Sequence, residues 1–186
     1  MNAFKLPGNA AMTQQLLTPV RLGALELKNR VVMAPLTRCR TDNPGYVPTE
    51  MTSRHYAQRA SAGLIISEGT IVSPQGRGYP FTPGIWSAEQ VAGWRLATNA
   101  VHDKGGLIVC QLWHCGRLSL PEFHDGQPPV APSAVNPNWK MFSTTGHPET
   151  VTPHALTRDE IKAIVGDFRR GAANAMAAGF DGIEIH

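Results

Sequence analysis

The stretch Thr157–His186 reads TRDEIKAIVGDFRRGAANAMAAGFDGIEIH, and the fold turns on it. Thr157 and Glu160 form a T-x-x-E capping box, which satisfies first-turn donors that have no helical partner. Ile161, Ile164, Val165, Phe168, Ala172, Ala175 and Met176 recur at i, i+3, i+4 and i+7, predicting one apolar helix face over Thr157–Ala178. Gly179 stands where a C′ residue belongs. Gly182–His186 (GIEIH) is short and β-branched, so the stretch is one helix–strand unit.

Toward the amino terminus the same unit recurs. Leu107–Trp113 (LIVCQLW) and Gly63–Val72 (GLIISEGTIV) read as strands buried on both faces, as does Arg30–Leu36 (RVVMAPL). Between them, Ser87–Lys104 is a helix opened by a Ser87/Gln90 capping box and stopped by Gly105-Gly106. Pro48–Ala60 is a weaker helix with Thr49 as N-cap. Leu16–Leu27 reads as a β-hairpin around Gly23, and residues 1–15 as a flexible polar leader. Residues 116–156 carry seven prolines and are too long for an ordinary connection, so they form an excursion over one end of the fold.

Alternating apolar strands and helices predict an α/β fold with a parallel sheet. Four such units are half of a TIM (β/α)8 barrel, which typically needs ~250 residues. An open, doubly wound sheet is the alternative, but no G-x-G-x-x-G or Walker loop follows any strand.

Composition narrows the function. The 186 residues are 42% apolar and 17% charged, which excludes a disordered chain. The net charge of +3 is small and its basic residues are scattered, so neither nucleic acid nor a membrane is an expected partner. Three cysteines (Cys39, Cys110, Cys115) suit reduced thiols, and the expected location is cytoplasmic.

In a parallel barrel the site is built at the carboxyl ends of the strands. Those ends carry Pro35-Leu36-Thr37, Glu68-Gly69-Thr70, Gln111 to His114, and His186. Period-two alternation puts Glu184 and His186 on one face and Ile183 and Ile185 on the other, toward the helices. In the third strand Gln111 and Trp113 share a face opposite Cys110, Leu112 and His114. Gln111 is either a buried amide with its own partners or a reader of a heterocycle edge. His186 is either a core histidine or a functional one. Trp86, Trp94 and Trp139 read as packing or loop anchors. Cys110 and His114 lie ~13 Å apart along a strand, too far to share one zinc ion, so no metal is expected.

Five colinear motifs carry a resemblance. They are MAPLTR (Met33–Arg38), ASAGLIISEG (Ala60–Gly69), PGIWS (Pro83–Ser87), QLWH (Gln111–His114) and AGFDGIEIH (Ala178–His186). From about Leu16 onward the chain resembles the Old Yellow Enzyme family of flavin ene-reductases, in its oxophytodienoate-reductase and N-ethylmaleimide-reductase branch. The resemblance implies FMN at the mouth of a TIM barrel and NADPH or NADH as reductant. It also implies an α,β-unsaturated carbonyl substrate. Carried over by motif, the backbone of Ala34, Pro35 and Leu36 lines the flavin, and Thr37 donates to its C4 carbonyl. Gly69 allows close approach, and Gln111 reads the pyrimidine edge. His186 binds the substrate carbonyl oxygen as the catalytic residue, and Tyr79 borders the substrate pocket.

In that family the histidine is followed, five residues on, by a proton-delivering tyrosine that lies beyond His186. Residues 16–186 are therefore expected to be the amino-terminal half of such a barrel. This half would work with a complementary carboxyl-terminal half-barrel chain or by self-association. The alternative from another class is a non-catalytic half-barrel assembly module without flavin.

Overall fold

The computed structural model describes residues 15–186, so the expected leader lies, apart from Gln15, outside the described residues. Strands β1 (Val20–Leu22) and β2 (Leu25–Leu27) pair antiparallel. They form the hairpin expected around Gly23.

The main sheet is parallel throughout. Strand β3 (Val32–Met33) pairs with β4 (Leu64–Ile66), and β4 pairs with β6 (Ile108–Trp113). Strand β5 (Thr70–Ile71) and β9 (Gly182–Ile185) also pair with β6. With β4 and β5 counted as two parts of one interrupted strand, both on β6, neighbours in the sheet follow chain order, as in a barrel wall. A doubly wound sheet would reverse that order at a switch point.

Helices α1 (Glu50–Ala57), α2 (Ala88–His102) and α3 (Arg158–Ala177) connect these strands. Both expected capping boxes form. Ser87 Oγ accepts from Gln90 N at 3.2 Å, and Thr157 Oγ1 accepts from Glu160 N at 3.3 Å. Gly179 takes φ +87°, the left-handed conformation that lets the chain leave α3.

One face of the sheet packs on the helices. Ile65, Ile108, Cys110 and Leu112 meet Tyr56, Trp94, Val101 and Phe180 in the main core. The other face, at the amino ends of the strands, is covered by the hairpin, where Leu27 packs with Leu64 and Val109. The sheet is therefore closed below and open above.

Several expectations need correction. Residues Gly63–Val72 are not one strand. Ser67 Oγ and Thr70 Oγ1 both donate to the Glu68 carbonyl at 2.9 Å, which takes that oxygen out of the ladder and divides β4 from β5. The first strand is shorter than Arg30–Leu36 and is not buried on both faces. Val32 is 46% exposed because β3, among the described residues, pairs only with β4. The α3 stripe is also only partly covered: Ala175 is buried, but Ile161, Val165 and Met176 are exposed. Ile183 and Ile185 leave the sheet on the Cys110/Leu112 side, as alternation requires, yet both are exposed. Trp94 is fully buried, whereas Trp139 is 64% exposed and only its backbone is tied to Thr150.

The excursion is ordered chain. Strands β7 (Val130–Ala131) and β8 (His154–Ala155) pair in parallel, and Met141 packs with Leu120 and Phe123.

Candidate active site

Of the residues singled out at the strand ends, Gly69, Gln111, Trp113 and His186 gather on the open side of the sheet. In β6, alternation turns Gln111 and Trp113 away from the helix layer. Directly across the β6–β9 pair, Glu184 is the register partner of Gln111. The Gln111 side chain, itself buried, donates from Nε2 to Glu184 Oε1 at 2.7 Å. Its backbone N–H donates to Ser67 Oγ at 3.0 Å, so a side chain continues the ladder where β4 has ended.

Trp113 is the hub of an aromatic row. Tyr79 stacks on it, with ring centroids 5.4 Å apart and planes 27° apart. His186 lies on another side at 5.9 Å and 60°. Both separations fall within the ~4.5–7 Å of favourable aromatic pairs. The His186 backbone N–H donates to Leu112 O at 3.0 Å, fixing the residue just past the end of β9. Tyr79 is half-buried, and burial first, then the neighbouring Cys115 and Cys39, pushes its hydroxyl pKa up. It stays protonated at neutral pH.

Gly69 sits against this row for a reason internal to the chain. A Cβ there would stand 2.3 Å from Trp113 Cε3, so the indole occupies the space a side chain needs.

Ala34 to Thr37 run as irregular chain past β3, with Leu36 63% exposed and Thr37 also exposed. What holds this segment was not anticipated. Arg38 donates through Nε to Glu68 Oε1 at 2.9 Å, and through Nη2 to the same oxygen. Tyr56 Oη accepts from Glu68 N at 2.7 Å. The signal was present in GLIISEGTIV, where a carboxylate in a buried run demands a cationic partner.

Other candidates lie apart from this chemistry. Burial pushes the Cys110 thiol up to about 12 and also raises Cys115, so neither is a thiolate at neutral pH. His114 Nδ1 accepts from Gly116 N at 3.1 Å, and its Nε2 is buried without a partner.

The arrangement offers an exposed leucine, a threonine hydroxyl and a buried amide whose Nε2 is oriented by a carboxylate. This donor and acceptor set fits the edge of a planar, largely uncharged heterocycle and has no cationic group for a phosphate. It therefore fits the ring of a flavin and not its phosphate end.

A model of the NADH:flavin oxidoreductase / NADH oxidase family matches residues 15–186. Flavin oxidoreductase hxnT of Emericella nidulans is 44% identical over 183 residues, covering 96% of this chain and 47% of that protein. The rice (Oryza sativa subsp. japonica) 12-oxophytodienoate reductase 1 is 45% identical over 183 residues, 95% of this chain and 46% of its own. Among solved structures, morphinone reductase in complex with tetrahydroNAD is 52% identical with a TM-score of 0.86, covering 92% of this chain and 48% of that one. The Old Yellow Enzyme homologue from Zymomonas mobilis is 48% identical with a TM-score of 0.88, at the same two coverages. The chain spans about half the length of these relatives. The half-barrel wall, the flavin-suited strand ends and the match over nearly all described residues agree: the chain belongs to the NADH:flavin oxidoreductase / NADH oxidase family.

Proposed function

We propose that this chain supplies the flavin-ring side and the substrate-activating histidine of an ene-reductase that uses NADPH or NADH to reduce α,β-unsaturated carbonyl compounds. The observation that carries this reading is the Tyr79–Trp113–His186 row beside the Gln111–Glu184 pair. When bound, FMN supplies a carrier that takes hydride from the nicotinamide and gives it to carbon. The backbone of Ala34, Pro35 and Leu36, the Thr37 hydroxyl and the Gln111 amide would hold it. Gly69 would act on that ring only indirectly, by giving the Trp113 indole its place.

The roles of the remaining residues follow from charge. Hydride arriving at the β-carbon of an enone leaves negative charge on the carbonyl oxygen. An imidazole N–H of His186 donates to that oxygen and lowers the barrier, because the hydrogen bond is stronger in the transition state than in the bound substrate. Tyr79 and Trp113 offer a flat apolar wall for the conjugated system. His186→Ala, in the chain assembled with the rest of its barrel, should slow enone reduction by about 10²–10³. Phenolate binding should weaken with it, while reduction by NADPH suffers less. Equal enone turnover and unchanged phenolate binding would overturn the assignment.

The exposed edges point to what covers them. Val32 on β3 and Ile185 on β9 are apolar residues on strands with one neighbour each among the described residues. The complementary half of the barrel, in the same polypeptide or a separate chain, is the surface that fits both edges. The 186-residue chain by itself should therefore associate. A monodisperse, cooperatively unfolding monomer in sedimentation and denaturant experiments would count against this.

A further inference from the structure

Arg77, two residues before Tyr79, joins three segments that lie outside the aromatic row. Its Nη1 donates to Tyr46 Oη at 2.7 Å, in the chain between β3 and α1. Its Nη2 donates to the carbonyl oxygen of Phe123, in the excursion. Its Nε donates to Pro74 O at 3.2 Å, in the loop that follows β5. The guanidinium carbon also lies 5.2 Å from the Tyr46 ring centroid, inside the ~6 Å range of cation–π contact. All three hydrogen-bond acceptors are neutral. What the guanidinium supplies is therefore geometry, three segments held at fixed angles by one rigid plane.

The backbone of Arg77 is held independently. The buried Ser119 hydroxyl donates to Arg77 O at 2.7 Å. A hydroxyl has one proton, so His124 Nε2, 2.8 Å from the same Oγ, is the donor in that second bond. Next in the chain, Gly78 is pressed against the segment leaving β6. A Cβ there would stand 2.4 Å from both Cys115 Cβ and Leu118 O. No slack separates Arg77 from Tyr79. The Tyr79 ring then stacks on Trp113 and packs against the cluster of Leu120, Phe123 and Met141. Phe123 is thus gripped twice, at its carbonyl by Arg77 and within its apolar cluster by Tyr79.

We propose that Arg77 is a positioning residue for the substrate wall. It clasps the excursion and the Tyr46 segment to the loop after β5, and so fixes the distance and tilt at which Tyr79 meets Trp113. The width of the flat wall offered to a conjugated substrate follows from that stack. The kinetic consequence rests on the ene-reductase reading, whereas the placement of Tyr79 is a property of the chain itself.

The test follows the ring-proton resonances of Tyr79 in the full chain, where the Trp113 ring current displaces them. Arg77→Met keeps the aliphatic stem and removes every donor. It should move those resonances toward the values of an unstacked tyrosine. Tyr46→Phe, which removes one acceptor and keeps the ring, should move them the same way by less. Parent-like Tyr79 resonances in both variants would overturn the role, and Tyr46→Phe decides alone if Arg77→Met does not fold. In the assembled barrel with FMN and an enone, Arg77→Met should raise KM about three- to tenfold, the worth of one stacking contact, with kcat nearly retained. An unchanged KM beside moved resonances would reduce Arg77 to a support of the loop and overturn its part in the substrate wall. A parent barrel that reduces no enone would count against the ene-reductase reading alone, and the resonances would still decide whether Arg77 sets Tyr79.

Discussion

Gln111 Nε2 donates to Glu184 Oε1 at 2.7 Å, joining β6 to β9 through side chains as well as backbone. A carboxylate only accepts, so it settles which end of the amide is NH2 and points Oε1 elsewhere. Among the described residues that oxygen has no hydrogen-bond partner. The glutamine is therefore held at one end by Glu184, and its other end is open to the role proposed for it.

That dual role sets the outcome of Gln111→Leu. The substitution should cost ~1–3 kcal/mol of FMN affinity in the assembled barrel, the price of an unmade buried hydrogen bond. Flavin fluorescence titration measures it, and parent-like affinity would remove Gln111 from the ring site.

Gly69→Ala should displace the Trp113 indole. The added carbon would stand 2.3 Å from Cε3, well inside contact distance. Overpacking of this kind typically costs ~1–3 kcal/mol. Thermal unfolding would show the loss, and near-ultraviolet circular dichroism the moved tryptophan. An unchanged aromatic spectrum would mean that the row tolerates a side chain there.

Arg38→Met tests what holds the Ala34–Thr37 segment. The Glu68 side chain is fully buried and would be left without its cation, which costs ~3–5 kcal/mol for buried pairs. Arg38→Met combined with Glu68→Gln should recover much of that, because the stranded charge is gone. Urea denaturation of both variants checks it, and equal losses in single and double variants would contradict it.

Acid should destabilise the fold through three of its histidines. The pKa values of His55, His114 and His124 are each lowered, first by burial, with His55 at about 4. As pH falls through 6.5, the ordinary value, the unfolded chain takes up protons that the folded chain refuses. Their contribution is complete above that value and is lost as pH drops toward 4. The urea midpoint should decline steadily from pH 7.5 to pH 5, and a flat profile would exclude the effect.

The local grammar of the chain was legible from residue order. Capping boxes at Ser87/Gln90 and Thr157/Glu160, the stop at Gly179 and the strands LIVCQLW and GIEIH act within a few residues, where hydrogen bonding and alternation decide. Alternation also placed Gln111 opposite Leu112 and turned Glu184 away from the helices, so the faces of these side chains were readable. Only the tertiary structure decided the rest, because burial and pairing depend on neighbours far away in sequence. RVVMAPL looks like a doubly buried strand, but β3 has a single partner strand among the described residues and Val32 is exposed. GLIISEGTIV looks continuous, but Ser67 and Thr70 take the Glu68 carbonyl while Arg38, 30 residues away, takes the carboxylate. Gly69 reads as room for a ligand, and the fold fills that room first with Trp113. A residue's own chemistry fixes what it needs, and long-range packing selects which partner supplies it.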